Sequence, residues 1–283
     1  MKRELNFEGT GAILYLVGTP IGNLAEMTPR ALEILNDVEY VAAEDTRNSG
    51  LLLNHFNIHK PFISCHEHNE EEAASKIIAL LENGHSVAYV SDAGYPCISD
   101  PGTRLVKAAL EHGIKISVIS GPSALLNALA GSGLPSDHFY FHGFLESKDT
   151  VRKNQLQELF TKKETLIFYE APHRIQKTLK TMAEVFGDRR ACIARELTKK
   201  HEEFIRGNLE ELAMIDPESL KGEMVIVVEG NDDEQSAIVD DEKILKFVKS
   251  LTDVGIATKD AIRESIVVLK VSKNYIYSLY HNN

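Results

Sequence analysis

The 283-residue chain is poor in cysteine, has no long apolar run and carries a deficit of basic charge. Its three cysteines, Cys65, Cys97 and Cys192, are isolated and lack Cys-x-x-Cys spacing. That speaks against a disulfide framework and for the reduced thiols of a cytoplasmic protein. The longest apolar runs, such as Met224-Val225-Ile226-Val227-Val228, fall far short of the ~18–20 residues that span a bilayer, so no membrane partner is expected. Near the start, Lys2 and Arg3 are followed by Asn6, Glu8 and two glycines, which is not the pattern of a signal peptide. Lysine and arginine number 31 against 42 acidic residues, a net charge of −11, which on its own disfavours a nucleic-acid partner. Three familiar motifs are missing as well. Gly18-Thr19-Pro20-Ile21-Gly22-Asn23 lacks the third glycine of a dinucleotide fingerprint and the Lys-Ser/Thr pair of a triphosphate loop. No Gly-x-Ser-x-Gly elbow supports a serine hydrolase.

What is present is an ordinary globular composition, 43% hydrophobic and 26% charged, with room for about two domains. The central feature is the stretch Ser91-Asp92-Ala93-Gly94-Tyr95-Pro96-Cys97-Ile98-Ser99-Asp100-Pro101-Gly102. It follows the apolar run 86–90, which reads as a buried strand, and precedes a helical pattern at 103–110 that Asp100 is expected to cap, with Pro101 as its first residue. A loop so rich in Gly, Pro, Ser and Asp exceeds what a turn needs and offers bare backbone to a ligand. Strands are also expected at 13–17, 39–43, 61–64 and 115–119, with helices from Thr28-Pro29, over 70–83 and after Ser120-Gly121-Pro122-Ser123-Ala124. Alternating strands and helices imply a parallel sheet with right-handed crossovers. Three of its strands end in Gly/Pro turns, and these turns are expected to cluster on one edge, where open α/β sheets bind ligands.

Residues 131–138 read as a linker. Beyond it, strands are expected at 139–144, 165–169, 190–196, near 203–206 and at 223–229, with helices at 149–160 and 173–186. An acidic linker over 230–236 then leads to a helical tail, with helices at 241–250, from Thr258 and from Ser272. The tail resembles a helix-turn-helix, and a packing or dimerisation extension explains it equally well. The domains are thus 1–132, 133–232 and 233–283. Charge is uneven along the chain: residues 1–145 hold 9 basic and 17 acidic side chains, residues 146–206 hold 14 and 10, and residues 207–283 hold 8 and 15. A middle segment of +4 could face phosphate.

Titratable groups gather where strands should end. Glu44, Asp45 and Arg47 follow one strand, Glu170, His173 and Arg174 another, and Arg195 and Glu196 a third. Structural ion pairs are the plain alternative for each. Cys65, His66, Glu67 and His68 lack the further ligands of a four-coordinate site, so no metal is expected.

Taken together, Val17-Gly18-Thr19-Pro20-Ile21-Gly22-Asn23, Ala43-Glu44-Asp45-Thr46-Arg47, Ser91 to Gly94 with Ile98 to Gly102, Gly121-Pro122-Ser123-Ala124, Phe168 to Arg174 and Arg195-Glu196-Leu197-Thr198-Lys199 resemble the tetrapyrrole methylase superfamily. Within it the chain is most similar to bacterial enzymes that methylate the ribose 2′-hydroxyl of a cytidine in small-subunit ribosomal RNA. The likeness covers about residues 11–230, and departs from the pattern at Tyr95, Cys97 and Ala171. It implies two α/β domains, a Rossmann-like parallel-sheet domain and a mixed-sheet domain, with a small helical C-terminal extension. It further implies S-adenosylmethionine (SAM) as cofactor, held in the cleft between the domains of a homodimer. Matched by motif, the cofactor contacts are Pro20, Asp92, Gly94, Tyr95, Ser123 and Ala124, with Tyr169, Leu197 and Glu223 from the second domain. Asp45 and Glu170 are nominated for proton removal and Arg47, Arg174 and Arg195 for holding phosphate or ribose. Other readings are a SAM-dependent enzyme acting on a tetrapyrrole or other small molecule, and a non-enzymatic SAM sensor whose tail binds nucleic acid.

Overall fold

The computed structural model describes residues 5, 11–231, 241–269, 276–277 and 279–280. Its first part alternates β1 (Ile13–Val17), α1 (Pro29–Asp37), β2 (Tyr40–Ala43), α2 (Thr46–His55), β3 (Phe62–Ser64), α3 (Glu70–Glu82), β4 (Val87–Val90), α4 (Thr103–Glu111) and β5 (Lys115–Ile119), before α5 (Ala124–Ser132). The five strands form one sheet in the order β3-β2-β4-β1-β5, and every pairing is parallel. Alternation within the strands decides which helix goes where. Leu14, Leu16, Ala42, Val87 and Tyr89 face Ile77 and Leu81 of α3 and Leu105 and Ala109 of α4. Their neighbours Val17, Val41, Ala43, Ala88 and Val90 face Ala31 and Leu35 of α1 and Leu53 of α2. Strands covered on both sides are continuously apolar, and all four residues of β4 are buried.

This winding positions the ligand edge. Strands β1 and β4 are adjacent and end level, Val17 beside Val90. The chain leaving β1 turns toward α1 on one face, whereas the chain leaving β4 turns toward α4 on the other. The two chains thus leave adjacent strands toward opposite faces, the reversal of strand order at which open α/β sheets take ligands.

The chain divides into two compact units, Met1–Asn127 with Leu197–Lys200, and Ala128–Glu196 with His201–Asn283, so the division falls within α5. The second unit holds β6 (Phe139–Phe144), α6 (Asp149–Leu159), β7 (Thr165–Glu170), α7 (Ile175–Phe186), β8 (Arg190–Arg195), β9 (Glu203–Asn208), α8 (Leu209–Leu212) and β10 (Met224–Val228). Its sheet runs β6-β7-β10-β8-β9, parallel between β6 and β7 and antiparallel elsewhere. Central β10 is buried along its whole length. Phe168, Ile193 and Ile226 pack there against Leu156 of α6 and Leu179 and Met182 of α7. The α/β class, the parallel first sheet and the mixed second sheet are as expected from the sequence.

In the tail, α9 (Asp241–Asp253) and α10 (Thr258–Leu269) close a small core of Ile244, Val248, Ala261, Ile262 and Ile276. The expected helix from Ser272, and residues 232–236 of the acidic linker, lie outside the described residues. Among the described residues no helix is long and apolar enough to cross a membrane.

One expected start is corrected. Asp100 does not cap α4, and Pro101 is not its first residue. The helix begins at Thr103, with Gly102 as N-cap at φ 125° and no side-chain cap of its own. The acceptor comes instead from the buried Glu70, the first residue of α3, whose Oε1 takes the N–H groups of Gly102 (3.0 Å) and Arg104 (2.9 Å). A carboxylate at a helix N-terminus is favourable both as hydrogen-bond acceptor and against the macrodipole. Gly102 is required twice over, since its φ is left-handed and a Cβ there would lie 2.4 Å from the ring of Tyr89. A cap supplied from another helix leaves no signal in the local sequence.

Candidate active site

Three loops of the first unit meet at the carboxy edge of the parallel sheet. The loop after β1 and the loop after β4 are joined by a two-way backbone bridge, Thr19 N to Gly94 O at 2.9 Å and Gly94 N to Thr19 O at 3.0 Å. The Thr19 hydroxyl donates to Ser91 O as well, at 3.2 Å. Gly18 N donates to Ile119 O at 3.1 Å, and Gly18 lies so close to Gly121 that a Cβ on either would come within 2.9 Å of the other's backbone. The loop after β4 reaches the loop after β5 through Tyr95, whose hydroxyl accepts the N–H of Gly121 at 3.0 Å. Of the residues matched to a cofactor, Pro20, Asp92, Gly94, Tyr95, Ser123 and Ala124 thus stand in or beside one cluster of loops. Pro20 and Gly94 are buried, Tyr95, Ser123 and Ala124 half-buried, and Asp92 exposed, where Asn48 Nδ2 donates to its Oδ2 at 3.1 Å.

Carboxylates crowd the same edge. Burial first, and then Glu44, push Asp100 up to about 6; a hydrogen bond from Ser91 opposes this and Asp92 adds to it. Glu44 is also raised, chiefly by burial and next by Asp92. Carboxylates whose pKa values are raised by neighbouring carboxylates mark a region of negative potential. Among the described residues no group of three His, Cys, Asp or Glu side chains is arranged to hold a metal ion.

Asp45 behaves differently from its neighbour. Its Oδ1 accepts the Arg47 N–H at 2.8 Å and caps α2, and its Oδ2 lies 2.8 Å from Arg47 Nη2. The Arg47 hydrogen bonds hold its carboxyl down to about 2. A carboxylate with so low a pKa is a poor proton acceptor. Glu170 is fixed as well, within the second unit. It is 3% exposed, takes the Ala171 N–H at 2.8 Å and the Thr178 hydroxyl, and sits 3.2 Å from Arg174 Nε. Arg174 in turn donates to Leu145 O. Arg195 Nη1 pairs with Glu203 at 2.7 Å, and its Nε donates to Lys221 O at 3.1 Å. Of the three arginines matched to substrate, Arg47 alone has a freely exposed side chain, at 88%. Both nominated bases are therefore engaged in local structure, whereas Asp100 was read from sequence only as a helix cap. Its burial and its proximity to Glu44 arise from neighbouring strands β2 and β4, and sequence spacing does not reveal them.

Tyr169 in β7 stacks edge-on to Phe141 (5.0 Å) and Phe144 (5.5 Å). The bulge of β6 between Phe141 and Gly143 brings both phenylalanines to one neighbour. Glu223 is exposed, and its backbone exchanges hydrogen bonds with Glu196. Leu197, expected from the second domain, is corrected: it is buried and belongs to the first unit through Leu197–Lys200. Glu196 (φ 50°) and Thr198 (φ 68°) take left-handed backbone on either side of it, a costly conformation for a β-branched threonine. The Lys199 stem crosses Gly22, where a Cβ would lie 2.6 Å from Lys199 Cγ.

Comparison with known proteins agrees with this architecture. The family Tetrapyrrole (Corrin/Porphyrin) Methylases matches residues 13–213. A protein of Bacillus subtilis named ribosomal RNA small subunit methyltransferase I is 42% identical over 99% of each chain. Proteins of the same name from Synechocystis and Haemophilus influenzae are 44% identical over 94% of this chain and 96% of theirs, and 48% identical over 77% and 78%. Among solved structures, the uroporphyrin-III-C-methyltransferase of Thermus thermophilus superposes with a TM-score of 0.56 at 21% identity, covering 77% of this chain and 94% of its own. A cobalt precorrin-4 methyltransferase superposes at 0.59 with 17% identity over the same shares, a likeness of fold. The chain belongs to the tetrapyrrole (corrin/porphyrin) methylase family and is a methyltransferase.

Proposed function

We propose that this protein is a SAM-dependent methyltransferase that transfers a methyl group to the ribose 2′-hydroxyl of a cytidine in small-subunit ribosomal RNA. The observation that carries the cofactor reading is the convergence of three loops on one sheet edge, drawn together by the Gly18–Gly121 contact, with a side-chain-free backbone at Gly94 and carboxylates at Asp92, Glu44 and Asp100. The residues fit the group. Glycine lets adenosine and a methionine backbone approach closely, and negative potential suits a sulfonium and an ammonium. The RNA substrate is supported by the name shared by the full-length relatives and by the excess of basic residues over 146–206.

Bound SAM supplies an electrophilic methyl group on a sulfonium sulfur. The work left to the protein is placement, since an in-line displacement gains most of its acceleration from holding the acceptor oxygen opposite the methyl group. The bridged loops after β1 and β4 provide a fixed floor for that geometry. A ribose hydroxyl is weakly acidic and reacts faster with a proton acceptor beside it. Glu44 and Asp100, both raised, are better acceptors than Asp45, which its arginine keeps ionised and weakly basic. Exposed Arg47 is the best placed of the three nominated arginines to meet a phosphate.

Tritiated-methyl transfer onto small ribosomal subunits and onto a porphyrinogen tests the assignment. Label in the RNA ribose is expected. Label in the porphyrinogen alone overturns the substrate, and binding of SAM without any turnover overturns the enzyme. A cytoplasmic homodimer is part of the same proposal, and light scattering that gives a monomer mass removes that part.

A further inference from the structure

We infer that Tyr95 is a positioning residue, whose hydroxyl locks the loop after β5 against the loop after β4 and so sets the affinity for the methyl donor. The inference rests on the cofactor reading above. It starts from a closed circuit. The loops after β1 and β4 are held by the Thr19–Gly94 bridge, and the loops after β1 and β5 touch through Gly18 and Gly121. The third side of the triangle is the Tyr95 hydroxyl accepting the Gly121 N–H at 3.0 Å.

The first two links are made by backbone, which most substitutions leave intact. Side chains reinforce both, the Thr19 hydroxyl donating to Ser91 O at 3.2 Å and the Thr28 hydroxyl to Ser120 O at 3.3 Å, whereas the third link rests on a side chain alone. Gly121 packs against Gly18 so closely that this amide has little room to swing toward another acceptor. Its N–H, half-buried with Tyr95, loses its protein partner when the phenol oxygen is removed. Next along the chain come Pro122, which has no N–H, and then Ser123 and Ala124, at the start of α5. Release of Gly121 therefore loosens the segment that the cofactor match assigns to Ser123 and Ala124. The loop after β4, by contrast, keeps its own tie through Gly94. Tyr95 acts in this scheme through Gly121, and not by contact with the reacting atoms.

The test is Tyr95→Phe in the full chain, which keeps the ring and removes the acceptor oxygen. Calorimetry with S-adenosylhomocysteine as probe is expected to show Kd rising about tenfold, the order of effect of one hydrogen bond with a half-buried donor left unpaired. In turnover, KM for SAM rises likewise, while kcat at saturation and KM for ribosomal subunits hold. A merely structural role moves all three together and overturns the inference. Equal Kd in the two proteins overturns the lock alone, whereas no heat with the wild-type protein overturns the cofactor reading beneath it. Amide exchange supplies a readout that needs no variant: Gly121 N–H should exchange at least tenfold more slowly than an open chain in the unliganded protein. Exchange at the open-chain rate overturns the lock.

Discussion

The two sheets differ in their charged groups, although Asp45 and Arg47 of the first pair with each other as those of the second do. In the first unit the strand ends present backbone, small residues and neighbouring carboxylates, with Asp100 pushed up to about 6 by burial and then by Glu44. In the second the ionisable groups at strand ends are spent on structure: Glu170 is held by Arg174, Thr178 and Ala171, and Arg195 by Glu203 and Lys221. A carboxylate next to an arginine reads the same in either sequence. What separates them is whether the pair closes on itself inside the fold, and only the closed pairs are expected to matter more for stability than for chemistry.

The largest effect that would sharpen this contrast lies in the second unit. Arg174→Ala strands the buried Glu170 carboxylate and is expected to cost about 3–5 kcal/mol in urea denaturation. Folded Glu170→Gln protein, in contrast, should retain single-turnover methylation. A folded but inactive amide variant would return Glu170 to the chemistry and break the contrast.

Next in size is Gly18→Ala, whose Cβ would meet the Gly121 backbone at 2.9 Å. Overpacking of this kind costs about 1–3 kcal/mol, and here it should also abolish S-adenosylhomocysteine binding measured by calorimetry. Loss of stability with binding intact would separate the glycine contact from the ligand edge.

A smaller effect distinguishes the carboxylates by pH. Affinity for S-adenosylhomocysteine should rise through a midpoint near pH 6 as Asp100 ionises, and Asp100→Asn should remove the inflection. Stability moves the other way. A carboxyl whose folded pKa is raised contributes stability that is full below its unfolded pKa, 3.8, and lost as pH climbs through about 6. Asp100→Asn should thus raise the urea midpoint at pH 8 relative to pH 4. Asp45 has the opposite sign, its contribution disappearing only as pH falls from 3.8 toward 2. The smallest change is Arg47→Ala: RNA binding should weaken a few-fold and the salt slope should fall by about one.

The layered fold was legible because short apolar runs alternate with helical patterns along the chain, and loops of Gly, Pro and Ser mark the strand ends. The meeting of the three loops followed from that winding. What stayed hidden depended on partners distant in sequence. Glu70 capping α4, Arg47 holding Asp45 down while Glu44 rises, and Glu170 closing on Thr178 each require knowing which strand or helix lies alongside. Leu197 was misplaced for a related reason: two left-handed non-glycine residues redirect the chain, and nothing in their side chains announces it.

The meeting of Gly18 with Gly121 sets a rule for anyone redesigning this edge of the sheet. Saturation libraries at those two sites should return glycine and little else. Variation is better spent on Asp92 and its partner Asn48, exposed side chains that can change without moving the main chain.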